Sequence, residues 1–293
     1  MFMRIATILI SISTIASFAK LHADLEAKKS EPAKSHTESN STTAEQSDEY
    51  SEEVESEQAA TPETDNERAM KLLEAYLGDS MNYCRERHQY TARLEKQVEI
   101  DGTLKEPEMI EAKVRQEPFS VYLKWDDSGQ EALYVKGKNR DRMVARVTQG
   151  IAILRNVWKL DPESRQAMQG CRYPITEFGL LRMTERVSDF YQNRAEEAGL
   201  QCSHRTDFFG ERPVVIFDVA FHSPQDCPDY SLSKLYFDAE EKCLVGVENY
   251  GWSKDGRSGG LVEKYLFHEI QFDAPLSDVD FSLENPSYKF VKN

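Results

Sequence analysis

One segment breaks the pattern of this 293-residue chain. On either side of it apolar and polar residues alternate, whereas from Gly170 to Tyr191 the period lengthens to that of a helix. A period of two puts successive side chains on opposite faces of a sheet, and a period near 3.6 gathers them on one helical stripe. The chain must therefore lay a loop and a helix between two runs of strands. Gly170 and Pro174 punctuate the loop, and Pro174 biases Tyr173 away from helical geometry. Thr176 is the expected N-cap, with Glu177 favourable at the positive helix end. Leu180, Met183, Val187, Phe190, Tyr191 and Ala195 then share one face, Arg182, Glu185, Arg186, Asp189 and Arg194 lie largely opposite, and Gly199 ends the helix. Such a face either packs into a core or lines an apolar cavity, and spacing leaves both open.

Before the segment, Ala69, Leu72, Leu73, Tyr76, Leu77 and Tyr83 predict a helix over 68–83, with Gly78 as a candidate break. Tyr90, Ala92, Leu94, Val98 and Ile100 alternate with polar residues, and Asp101-Gly102 is a hairpin signal. The return strand has Ile110, Ala112 and Val114 inward. After Pro118 come Phe119, Val121, Leu123 and Trp125, then strands over 132–136 and 142–147, with an apolar stretch at 151–160. Past the central helix, hairpins join 203–208 to 214–221 and 234–238 to 243–250, and 261–272 is a long last strand. Gly256, Gly259 and Gly260 precede that strand, so they read as turn residues; a phosphate-cradling loop would lead into a helix. Hairpins around helices predict an α+β domain with a large antiparallel sheet.

The N-terminus reads differently. Arg4 followed by the charge-free apolar run 5–18 predicts a secretory signal over 1–23, with cleavage expected after Ala19 or Ala23. The run is too short for a comfortable membrane span, which takes roughly 20 residues. Residues 24–66 hold thirteen acidic against three basic residues, about −10 of the net −15, and their only aromatic is Tyr50. That composition cannot bury enough apolar surface to offset ordering entropy, so it predicts a disordered acidic linker. Residues 67–293 then form one domain that is only mildly acidic, without the basic stripe of a nucleic-acid binder.

No reaction nominates itself. His88, His204, His222 and His268 fall in no zinc spacing, no Gly-x-Ser-x-Gly elbow exists, and Glu240-Glu241 reads as solvated charge in a turn. We therefore expect no enzyme, no cofactor and no metal site. Five cysteines leave at least one thiol unpaired; Cys202 and Cys227, which flank one hairpin region, are the expected pair if any forms.

The run Tyr90-Thr-Ala-Arg-Leu-Glu-Lys-Gln97, Asp101-Gly, 114–124 and Arg172-Tyr-Pro-Ile-Thr-Glu-Phe-Gly179 resembles the bacterial family catalogued as domain of unknown function 1571. More distantly, the opening helix, the strands 90–93 and 118–125 and the closing 276–281 are similar to LolA-type lipoprotein carriers and their relatives LolB and RseB. That likeness implies a half-open, strongly curved β-barrel with an N-terminal and a central helix on its concave face. It also implies a periplasmic or envelope carrier or sensor of acylated molecules. In such a half-barrel Phe119, Val121, Leu123, Trp125 and Phe217 of the sheet would face Leu180, Met183 and Val187 of the helix across a ligand cavity. Arg172 and Tyr173 would stand at its mouth, Arg172 holding a polar headgroup or making a structural hydrogen bond to its loop. The expected partners are an apolar or acylated ligand, or an envelope protein docking on a domain with a filled core; no nucleic acid and no transmembrane segment beyond the signal are expected.

Overall fold

The computed structural model describes residues 64–148, 156–192 and 199–290. The predicted signal, nearly all of the predicted linker, the first half of the apolar stretch 151–160, and Arg194 and Ala195 of the predicted central helix lie outside them.

Helix α1 (Asp65–Glu86) opens on a capping box in which Thr64 and Glu67 satisfy each other's backbone N–H groups. Ala69, Leu73, Leu77, Ser80 and Cys84 form its buried stripe at helical spacing. The domain thus begins inside the segment assigned from composition to the linker. Asn66 shows why: its side chain bonds both Leu200 O (3.0 Å) and Cys202 N (2.7 Å). Gly78 does not break the helix; its position has open space around it, and the penalty of about 1 kcal/mol for a helical glycine is outweighed by the buried stripe.

The strands are β1 (Gln89–Ile100), β2 (Thr103–Leu104), β3 (Glu108–Arg115), β4 (Ser120–Trp125), β5 (Glu131–Val135), β6 (Met143–Arg146) and β7 (Val157–Leu160), then β8 (Leu200–Phe209), β9 (Arg212–Phe221), β10 (Leu232–Asp238), β11 (Leu244–Trp252) and β12 (Ser258–Phe272). All pairings are antiparallel, and β1 turns into β2 at Asp101-Gly102, both at positive φ as a tight hairpin requires. The curved open sheet runs β7-β6-β5-β4-β3-β1-β12-β11-β10-β9-β8, with β2 beside β1. Two meanders therefore meet at β1–β12, and β7 and β8 are opposite edges. The connection between them has to traverse the sheet. That connection holds the central helix α2 (Leu180–Gln192), and its path is what lays loop and helix over the inner face.

α2 does not start as expected. Thr176 falls within a single 3-10 turn (Ile175–Glu177), and the helix begins after Gly179. The orphan N–H of Leu180 donates to the hydroxyl of Tyr90 (2.8 Å), a wholly buried phenol whose pKa burial pushes far up. Gly179 has φ +110°, and a Cβ there would come within 2.6 Å of that oxygen, so the site demands glycine. Tyr90→Phe is expected to cost about 1–3 kcal/mol in urea unfolding, because it leaves a buried donor unmet; a cost near zero would show that another acceptor replaces it.

The larger core lies on this helix-bearing face, with Tyr76, Phe217 and Phe237 in mutual edge-on contact at 5.3–5.6 Å. A second core on the opposite face joins Tyr122, Leu133, Val135 and Val144 to Phe281, Tyr288 and Phe290 of the C-terminal tail. Among the described residues no helix is long and apolar enough to cross a membrane.

Candidate functional site

Strand register builds the site. Phe267, Leu94, Ile110 and Trp125 stand opposite one another across β12, β1, β3 and β4, forming one apolar row on the inner face. The neighbouring row on β1, β3, β4, β5 and β6 is Ala92, Ala112, Leu123, Ala132 and Ala145, mostly small side chains. In the other direction along the strands the inner face turns polar, with Ser233, Asn249 and Glu263 in register across β10, β11 and β12. All three are almost fully buried.

The loop before α2 spans these rows without filling the space beneath. Two adjoining cavities result, of about 100 Å³ and about 320 Å³. The smaller is bounded by the apolar row, Ala132, Met143, Ala167 and Phe178; the larger reaches Val187, Phe190, Leu235 and the polar row. Tyr173, Met183, Arg186 and Tyr265 wall both. The cleft is thus apolar at one end and hydrogen-bonding at the other.

Of the residues expected from sequence to face a ligand, Leu123, Trp125, Met183 and Val187 line these cavities, as do Arg172 and Tyr173. Phe119, Val121, Leu180 and Phe217 are instead packed in the core. All of them face the core as expected, but facing inward in a fold this large does not place a residue beneath the loop.

Glu263 is the group that sequence reasoning missed. It is 2% exposed. Its Oε1 accepts from Asn249 Nδ2 (2.7 Å), Tyr230 Oη (2.8 Å) and Tyr173 Oη (3.2 Å), and its Oε2 lies 3.2 Å from Arg172 Nε. Burial, with the nearby Glu263 charge adding to it, pushes up the phenol pKa values of Tyr173, Tyr230 and Tyr265. Burial pushes the Arg172 guanidinium down, but Glu263 together with Tyr230, Tyr173 and Tyr265 more than offsets it, and the net shift is upward. The usable signal was positional: Glu263, Tyr265 and Phe267 share the inward face of an alternating strand, and a carboxylate there needs partners.

Arg172 is therefore engaged with Glu263 rather than free to clasp a headgroup. The loop has two more anchors. Lys96, 7% exposed, donates from Nζ to Gly170 O (3.0 Å) and pairs with Glu108 (2.6 Å). Arg186 donates to Glu177 O (2.8 Å) and lies 4.0 Å over the Tyr173 ring. The cysteine pairing expected from sequence is not made in this structure: all five cysteines, Cys202 and Cys227 among them, are free thiols, burial pushing Cys202 up to about 12. Among the described residues no cluster of three or more side chains has the makings of a metal site.

The family model described as a protein of unknown function, DUF1571, matches residues 87–290. No curated protein matches. Solved structures similar to this chain include lipoprotein LppX of Mycobacterium tuberculosis, 11% identical over 71% of this chain and 98% of that one, with a TM-score of 0.41. MucB in complex with MucA(peri) is 12% identical over 71% and 58%, with a TM-score of 0.36. A LolA superfamily protein from Nitrosomonas europaea is 7% identical over 71% and 96%, with a TM-score of 0.21.

Proposed function

We propose that this chain, which belongs to the DUF1571 family, is an exported binding module that holds an acyl chain or similar apolar group beneath the loop preceding α2. The observation that carries this reading is the apolar row Phe267–Leu94–Ile110–Trp125, which lines the cleft beneath the loop. A cavity of about 150 Å³ is enough for benzene. The 100 Å³ lobe as it stands therefore takes only the end of a chain, and the rest of the ligand lies in the larger lobe. That larger lobe lies in the usual range of ligand pockets. Its Ser233, Asn249 and tyrosine hydroxyls suit a polar head that can donate or accept hydrogen bonds.

A carrier of this kind works by exclusion of water from the bound chain, at about 25 cal/mol per Å² of apolar surface covered. It needs no catalytic group. Ala167 lines the apolar lobe and is only partly buried, so Ala167→Trp can block the lobe without disturbing the core. The expected result is at least a tenfold weaker binding of a fluorescent fatty acid, with the melting temperature changed by less than about 3 °C. Equal binding by both proteins contradicts the site. The full burial of Val121, Leu180 and Phe217 favours a second reading, an envelope interaction protein with a filled core; absence of any acyl binding by the unaltered protein selects it.

Export is expected to show directly. N-terminal sequencing of protein taken from its own cells should begin near Lys20 or Asp24. A soluble cytoplasmic protein that retains Met1 contradicts this.

A further inference from the structure

Ligand holding leaves one buried pair of thiols unused. Cys84 lies in the last turn of α1 and Cys243 in the turn between β10 and β11. Their Sγ atoms are 3.5 Å apart, and the residues are 2% and 0% exposed. Among the described residues this is the one contact between two sulfurs. Flanking contacts hold the two backbones in place around it. Lys242 Nζ pairs with Asp79 at 3.0 Å, and Leu244 N–H donates to Ser80 Oγ at 2.8 Å. Ser80 Oγ in turn meets Thr184 Oγ1 of α2 at 3.1 Å, so the thiols sit where α1, α2 and the sheet are fastened together.

We propose that Cys84 and Cys243 are joined as a disulfide in the mature protein, stapling α1 to the β10–β11 turn. The proposal rests on the export reading, since disulfides persist in oxidising compartments. A disulfide needs sulfurs about 2.05 Å apart. The gap from contact distance is about 1.5 Å, which small side-chain rotations cover while the backbones stay fixed. In the bond-forming reaction two S–H bonds break and one S–S bond forms. The two protons and two electrons pass to an oxidant of the disulfide class, which leaves as two thiols. The disulfide form of a thiol–disulfide oxidoreductase serves in the cell and glutathione disulfide in the tube. The hydrogen bond with Cys84, together with burial, holds the Cys243 thiol well above its ordinary pKa, so the reduced, folded pair is unreactive. The bond must therefore form while the chain folds, before the core closes over it.

The test begins with the full chain, reduced and denatured, then refolded in a glutathione buffer containing both redox forms. Free thiols are trapped with N-ethylmaleimide, and a non-reducing digest is read by mass spectrometry. The expected species is the peptide linked through Cys84 and Cys243, with Cys171, Cys202 and Cys227 alkylated. The oxidised protein should melt roughly 5–15 °C above the reduced one, and this difference should vanish in the double variant C84A/C243A. Five alkylated cysteines, or a dominant link between Cys202 and Cys227, overturn the proposal. The same digest of protein from its own envelope separates the two claims. A cleaved leader with Cys84 and Cys243 alkylated overturns the disulfide and leaves export standing. A retained leader overturns export, and the refolding result then decides the pair.

Discussion

A chain ending at Pro275 is expected to lose on the order of 5 kcal/mol of stability and to self-associate. The tail beyond that point buries Phe281, Tyr288 and Phe290 to between 6% and 8% exposure against the outer face of the sheet. Fully burying an aromatic side chain contributes about 1.5–3 kcal/mol, and domains have only about 5–15 kcal/mol in total. Tyr288 stacks on Tyr122 at 3.8 Å and 7°. The tail also supplies Lys289 N–H to the buried carboxylate of Glu131 at 2.9 Å. Its removal uncovers Tyr122, Leu133, Val135 and Val144 together, an apolar patch of the kind that drives association. Urea unfolding and size-exclusion chromatography read both effects; a monomer within about 1 kcal/mol of the full chain contradicts the account of the second core.

The same docking is expected to weaken in acid. Burial raises the Asp280 pKa, but hydrogen bonds from Lys113 and Ser277 more than offset this and hold the carboxyl below its usual 3.8. A depressed carboxyl contributes stability above its unfolded-state pKa and loses it as pH falls through the folded-state value. The stability difference between the full and shortened chains should therefore be constant above about pH 5 and shrink below about pH 4. A difference that grows on acidification would contradict the Lys113–Asp280 pairing at 2.6 Å.

Glu263→Ala is the second large effect expected. It removes the acceptor shared by Tyr173, Tyr230 and Asn249 and leaves Arg172 without its counter-charge. Breaking a buried pair costs about 3–5 kcal/mol. Arg172 is 29% exposed, so water recovers part of that loss, and on the order of 3 kcal/mol is expected. Glu263→Gln keeps the volume and an acceptor, and should cost less. A double-mutant cycle of Glu263→Ala with Arg172→Ala should give a coupling above about 1 kcal/mol. Additive effects would mean that the two side chains merely lie near each other.

Alternation along the strands makes the sheet, its hairpins and the two runs around a helix legible in the amino-acid sequence, because a period of two has one physical cause. That the helix between the two runs lies on the inner face does not follow from that pattern; the order of the strands, with β7 and β8 at opposite edges, places it there. What escapes depends on contacts distant in sequence. Thr176 has the chemistry of an N-cap, yet Tyr90, from a strand ninety residues earlier, takes the first orphan N–H of α2. Leu180 and Phe217 face inward as expected, but where the loop crosses decides that Leu123 and Trp125 line the cleft while they do not. Glu263 looks like any charge on a long last strand, and only its register beside Asn249 shows why it can be buried. The tail beyond Asp273 has no period at all, and its role rests on aromatic residues meeting the outer face.

The central claim is that the cleft beneath the loop holds an apolar chain, and native mass spectrometry of protein gently purified from its own envelope tests it most directly. The account predicts a mass above that of the polypeptide, released as an acyl-containing molecule on solvent extraction, and absent from the Ala167→Trp variant prepared in the same way. A protein that carries the mass of its polypeptide alone, and takes up no fatty acid when one is supplied, would contradict it.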